Sequence, residues 1–416
     1  MISFRRYQRS AGPDTVARGG ARFTLITFPI GHLANDWPAA ALWILAPAIG
    51  LSMGLSPAQV GLLIAIHSAG ASLAYFPAGV LSDHVRNRGV LLASTFWWVA
   101  IGYYAAADVS SFWLLALLLG IAGLGAAAWH PIATGIMIEQ MPGQRAQVLG
   151  IHALGGTLAE VGAPLCAGFL LAMFDWRVVL ELSVLPAVIM GIVFTRAIPR
   201  IPPTREPGVT LSDLAQTLRV WIQPGGLHVI AIVVLYNMAM MGGLSMAALL
   251  LQDASGYSLT GAGIVLAAIW LLGALSQPLL GRLSDSAGRK WVAAGVLLIA
   301  FVLLVLLVLS KQSLWLTVCL IAAMGSLVGV RAVLLAMMID LVQRRQTTTL
   351  GFAFAMMDGV GALGALFAGM VANYDLRYAF VLAAALSVVA AGATVCYSPE
   401  PGPGRGWRAQ LEDCSQ

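Results

Sequence analysis

Residues 30–40 read IGHLANDWPAA, inside an apolar run that extends from FTLITFP to AALWILAPAIGL. His32 and Asp36 are four residues apart, so on a helix they share one face. An imidazole and a carboxylate placed this way can hold and pass a proton. A carboxylate at the centre of a membrane helix costs about 2.5–3.5 kcal/mol on insertion scales, and an ionisable residue kept at that cost is by default functional. The structural alternative is a polar pair that hydrogen-bonds a neighbouring helix. His130, Glu160, Arg331 and Asp358 interrupt other apolar runs in the same way. Arg331 has two readings. Its guanidinium either meets an anionic group of a substrate or belongs to a permanent salt bridge, and both require an anion nearby.

These residues need membrane helices to position them. Hydrophobic residues make up 59% of the chain and charged residues only 10%. Soluble domains carry about 25% charged residues, so the chain reads as an integral membrane protein rather than a soluble enzyme. The mean hydropathy of +0.87 agrees. Apolar runs of spanning length lie at about 23–50, 57–81, 89–107, 112–138, 146–173, 177–196, 227–252, 258–281, 291–310, 313–340, 348–372 and 376–397. The fold class is therefore all-α, with twelve transmembrane helices. The expected division is an N-terminal tail (1–22), a six-helix bundle (23–196), a linker (197–226), a second six-helix bundle (227–397) and a C-terminal tail (398–416). In the linker, Leu211, Leu214, Leu218 and Trp221 share one face and predict a short helix on the membrane surface. Of the 23 lysines and arginines, 19 fall on one side of this arrangement. Arg177, Lys311 and Arg377 fall on the other, and Arg331 lies within a span. By the positive-inside rule both termini are cytoplasmic. The N-terminal tail has no apolar segment of a secretory signal ahead of the first span. The four cysteines, Cys166, Cys319, Cys396 and Cys414, have no metal-type spacing. No P-loop is present, so ATP is not the expected energy source.

The halves repeat. Gly79-Val-Leu-Ser-Asp83 recurs as Gly281-Arg-Leu-Ser-Asp285, and Asp175-Trp-Arg177 as Asp375-Leu-Arg377. A parallel six-helix repeat is a transporter architecture, with its site at mid-depth between the halves. An offset of 201 places Asp36 on Asn237 and His130 on Arg331. It predicts two pairs, His130 with Glu160 and Arg331 with Asp358. The alternative for the first pair is a satisfied helix–helix hydrogen bond. His67 and His152 rank lower, as packed histidines. Glu139 and Arg145 read as a gate or surface pair. Trp129 and Trp270 are candidates for lining the cavity.

Residues 281–290, GRLSDSAGRK, fit a G-x-L-x-D-x-x-G-R-[KR] loop. On this motif and the repeat, the chain resembles the major facilitator superfamily over nearly its whole length. The resemblance implies two pseudo-symmetric six-helix bundles and a monomer. It also implies a conformational gate at Gly79, Asp83, Gly281, Asp285, Gly288 and Arg289, whose aspartate helps latch the halves on the cytoplasmic side. The plain alternative is a loop that marks topology alone. Gly288 permits a turn with positive φ, whereas the first copy, GVLSDHVRNR, has Arg86 at that place. Three further segments, GHLANDWPAAALWILAP, GLGAAAWHPIATG and HALGGTLAEVGAPLCAG, resemble the fosmidomycin-resistance-type exporters. That group commonly has an acidic residue after the His-Pro pair; here it is Ile132.

The expected function is secondary transport across the inner membrane by alternating access, with no cofactor and no nucleic-acid partner. The resemblance implies proton-coupled efflux of a small organic, drug-like compound, an anionic one among the candidates, with Asp36, His32 and Glu160 handling the proton. Arg331, Asp358, Asn237 and His130 would line the substrate site. Two rivals remain: a proton-coupled importer of an organic acid or sugar, and a transporter-fold sensor or assembly factor without flux.

Overall fold

The computed structural model describes residues 13–141, 145–203, 219–342 and 346–398. Among the described residues, twelve helices are long and apolar enough to cross a membrane. They are α1 (Arg22–Met53), α2 (Pro57–His84), α3 (Arg88–Ala107), α4 (Phe112–Gln140), α5 (Gln147–Leu170) and α6 (Trp176–Arg200) in the first half. The second half holds α7 (Pro224–Ser255), α8 (Leu259–Ala287), α9 (Arg289–Leu309), α10 (Ser313–Leu341), α11 (Phe354–Ala372) and α12 (Leu376–Cys396). The expected surface helix around Leu211, Leu214 and Leu218 lies outside the described residues, as do residues 1–12 and 399–416 of the terminal tails, whereas residues 13–22 of the expected N-terminal tail are helical and continuous with α1. Trp221, placed by its spacing on that surface helix, is instead buried and stacked on Phe352 with ring centroids 5.1 Å apart.

Helix ends follow from local chemistry. Ser56 and Gln59 form a reciprocal capping box at the start of α2. Asp175 caps α6 and Asp375 caps α12, each accepting from the backbone N–H of the arginine two residues on, at 2.7 and 2.8 Å. The repeated Asp-x-Arg is thus a cap with a second function. Arg377 donates to the carbonyls of Val308 and Ser310 at the end of α9, at 2.6 and 2.8 Å. Helix α8 runs to Ala287, six residues beyond its apolar stretch, so most of the GRLSDSAGRK motif is helix rather than loop. The turn is confined to Gly288, whose φ of 90° is strained for any residue with a side chain.

Within each half the helices pack as a bundle, α2 on α4 and α1 on α5 in the first, α8 on α10 and α9 on α12 in the second. The halves meet along α2–α11 and α5–α8. A Cβ on Gly61 would lie 2.2 Å from the Ala365 carbonyl oxygen, and one on Gly263 would lie 2.6 Å from that of Pro164. Only glycine permits backbones this close. Thr260 adds a hydrogen bond to the Gly168 carbonyl at 2.9 Å, and Asn373 accepts from the Ala58 N–H at 3.1 Å. These contacts close the end of the molecule that bears the α1–α2, α5–α6, α7–α8 and α11–α12 turns.

Candidate functional site

A cavity of about 380 Å³ lies between the halves, lined by α1, α2, α4 and α5 from one and α7, α8, α10 and α11 from the other. It gathers His32, Asp36, His130, Glu160, Arg331 and Asp358, six of the seven residues singled out for proton and substrate. Its walls are otherwise largely apolar, with Trp43, Trp270, Phe354, Met240 and Met241. Few polar groups converging in an apolar pocket is the usual composition of a small-molecule site.

The first polar group sits on α1. His32 Nε2 lies 3.1 Å from Asp36 Oδ2, and His130 Nε2 lies 3.6 Å from Asp36 Oδ1. His32 Nδ1 meets the His152 carbonyl oxygen at 2.9 Å. The amide of Asn35 donates to Asp36 at 3.1 Å and to the Ala126 carbonyl on α4 at 2.8 Å. The carboxylate is therefore held between two imidazoles and an amide. The ring of His32 occupies the space that a side chain at position 156 would take: a Cβ on Gly156 would lie 2.7 Å from Nε2. His32, Asp36 and His130 have ligand atoms that all lie within 4.8 Å of one another, a set that could hold a metal ion and that the sequence spacing does not display.

The second polar group crosses between the halves, and here the predicted pairs are corrected. Arg331 on α10 faces Glu160 on α5 at 4.0 Å. Asp358 on α11 accepts a hydrogen bond from Tyr75 on α2 at 2.6 Å. His130 turns to Asp36 instead of Glu160. Both bonds link one half to the other, whereas the predicted pairs stay within a half. Tyr75 has no sequence signal of its own: a tyrosine in an apolar run reads as packing.

Two other expectations change. Asn237 does not line the cavity; it is buried and donates to the Met357 carbonyl at 2.5 Å, which fixes the turn of α11 that carries Asp358. Trp129 is buried among Phe28, Phe96 and Phe194, while Trp270 does line the cavity. Glu139 is bound by Arg88, through two bonds of 2.8 and 2.6 Å, while the side chain of Arg145 lies outside the described residues. His67 lines the cavity and hydrogen-bonds the Tyr103 hydroxyl at 2.6 Å.

The residues expected to form a gate lie at the far end of the helices. Gly79 faces Pro131 of α4, where a Cβ would lie 3.5 Å from the proline ring. Asp83 is the penultimate residue of α2, and Gly281 lies within the last two turns of α8. Arg289 reaches Asp285 at 3.7 Å and Asp340 on α10 at 3.0 Å.

A family model described as Major Facilitator Superfamily matches residues 30–329 and 229–413. A "Probable sugar efflux transporter" of Helicobacter acinonychis is 26% identical over 60% of this chain, which spans 63% of that relative's length. A "Probable 4-methylmuconolactone transporter" of Cupriavidus pinatubonensis is 28% identical, over 35% of each chain. The "Hexuronate transporter" of Bacillus subtilis is 23% identical over 88% of this chain and 92% of its own. Among solved structures, a bacterial homologue of the human lysosomal transporter Spinster superposes with a TM-score of 0.75 at 19% identity, covering 90% of this chain and 96% of its own. A nucleoside transporter superposes with a TM-score of 0.76 at 16% identity, covering 90% and 100%. Likeness at these identities establishes the fold.

Proposed function

This chain belongs to the major facilitator superfamily, and from that premise we propose that it exports a small organic compound bearing an anionic group, driven by protons, across the inner membrane. The observation that carries this reading is one cavity holding two separate polar groups, His32–Asp36–His130 and Glu160–Arg331 with Tyr75–Asp358. Asp36 takes the proton and His32 tunes it. Arg331 takes the anionic group. At 4.0 Å its contact with Glu160 is at the limit of an ion pair, so an incoming anion displaces a weak partner rather than a strong one. Glu160, released, is then free to take a second proton.

The names of the relatives support a sugar-sized polar substrate, and hexuronate is itself an anion. A cavity of about 380 Å³ lies near the lower end of the range for small-molecule sites. The protein works as a monomer with both termini in the cytoplasm. The closed end then faces outward, and the gate turns α2–α3 and α8–α9 face inward. The test uses membrane vesicles from overexpressing cells and a panel of labelled sugars and sugar acids. Export requires accumulation in inverted vesicles that collapses when a protonophore is added. Accumulation in right-side-out vesicles would make the protein an importer, and no flux under any imposed gradient would make it a sensor.

A further inference from the structure

We propose that His32, Asp36 and His130 form a binding site for a divalent transition-metal cation of the zinc class. Three observations lead there. The first is a shared demand for positive charge. His32 Nδ1 lies 2.9 Å from a backbone carbonyl, which can only accept, so Nδ1 carries a proton. Nε2 then faces Asp36 Oδ2 at 3.1 Å. Either a second proton on Nε2 or a metal cation between the two atoms satisfies this contact, and the site holds one or the other.

The second observation is spacing. A four-coordinate zinc ion at about 2.0–2.1 Å from each ligand sets its ligand atoms roughly 3.3 Å apart. His32 Nε2 and His130 Nε2 approach different oxygens of Asp36, Oδ2 at 3.1 Å and Oδ1 at 3.6 Å, so the carboxylate presents both oxygens to the space between the rings. One ligand atom from each of the three residues lies within 4.8 Å of the other two, so a bound ion draws the side chains closer together. Three protein ligands beside an open cavity leave a fourth position for water or substrate.

The third observation is the surrounding shell. Metal-bound histidines donate their other N–H to a backbone carbonyl or carboxylate, and metal-bound carboxylates accept further hydrogen bonds. His32 donates to the His152 carbonyl, and Asn35 donates to Asp36 at 3.1 Å. His152 itself is buried and stacked on His32 at 4.3 Å, and neither of its ring nitrogens has a hydrogen-bond partner among the described residues. Imidazole ligands select zinc, cobalt, nickel or copper over sodium, magnesium or calcium, which prefer oxygen.

The inference concerns binding and does not depend on which substrate crosses the membrane. The test titrates Co²⁺ into the purified full chain, freed of any affinity tag, in detergent. The expected result is a visible absorption band of tetrahedral intensity that saturates at one equivalent, is displaced by Zn²⁺ and is unaffected by Mg²⁺ or Na⁺. His32→Gln and His130→Gln should each weaken binding by more than about tenfold. His228→Gln, altered at a histidine bonded to the Ala393 carbonyl, should bind as the parent does. No band in the parent protein overturns the proposal. A band that persists unchanged in well-folded His32→Gln and His130→Gln overturns it equally, because the ion would then sit elsewhere. Flux measured in chelator-treated vesicles reads the transport proposal separately.

Discussion

At the scale of the residue, the proposed mechanism gives Asp36 and Arg331 different tasks. Asp36→Asn mimics the protonated carboxyl and cannot cycle. Transport driven by a pH gradient should be lost, while substrate–substrate exchange, which moves no net proton, should continue. Measuring both modes in liposomes checks this. Gradient-driven transport that survives would move the proton site to Glu160 or Asp358. Arg331→Lys should raise the apparent KM, because an ammonium cannot reproduce the planar fork. Arg331→Ala removes the partner of Glu160, and the further change Glu160→Ala should restore any folded protein lost. Substrate-dependent flux at the parental KM in that double variant would exclude Arg331 from substrate binding. The same change paired with Asp358→Ala should restore less, because Asp358 is bonded to Tyr75 instead.

At the scale of the element, the first turns of α3 and α9 carry related braces. Arg88 ties α3 to Glu139 on α4, and Arg289 ties α9 to Asp340 on α10. Their burial differs. Arg88 is 1% exposed, whereas Asp340 is 59% exposed. Removing one partner of a buried pair strands the other and costs about 3–5 kcal/mol; an exposed pair contributes about 0–1 kcal/mol. Glu139→Ala should therefore lower the melting temperature clearly, and Asp340→Ala should hardly change it, as read by thermal unfolding in detergent. The gate turns invite a different measurement. Asp285→Asn should cut transport with insertion intact, since Gly288 completes the second copy of the motif. Asp83→Asn should hurt less, because Arg86 already breaks the first. Equal loss in the two variants would remove the distinction between the copies.

At the scale of the whole molecule, the halves touch where glycines let backbones approach. Gly61→Val would drive a side chain against the Ala365 carbonyl and pry α2 from α11. Expression should persist while the closed end opens. A cysteine placed at Ile64, which lines the cavity, should become reactive from that side only in the Gly61→Val background. The two mid-depth bonds, Tyr75 to Asp358 and Arg331 to Glu160, also cross between the halves. In the proposed mechanism, substrate entry and movement of the halves act on the same bonds, which is the coupling a rocking transporter requires.

Hydropathy along the chain determined the twelve spans, because a helix must hide its backbone from lipid wherever it crosses. The repeat, the turn at Gly288 and the presence of ionisable groups inside spans are likewise local properties, readable without neighbours. Partners were not readable. Successive residues on a helix point about 100° apart, so a shift of one position decides between cavity and neighbouring helix. The offset of 201 set Asn237 opposite Asp36. The motif copies at Gly79 and Gly281 differ by 202, which sets it opposite Asn35. The structure follows the second: Asn35 and Asn237 are both buried and both donate to a backbone carbonyl of another helix. Arg331 meets Glu160, and Asp358 meets Tyr75, because α5 and α2 of one half line the same cavity as α10 and α11 of the other. Helix rotation and the docking of the halves are set by side-chain packing across the whole bundle, and only the tertiary structure could decide them.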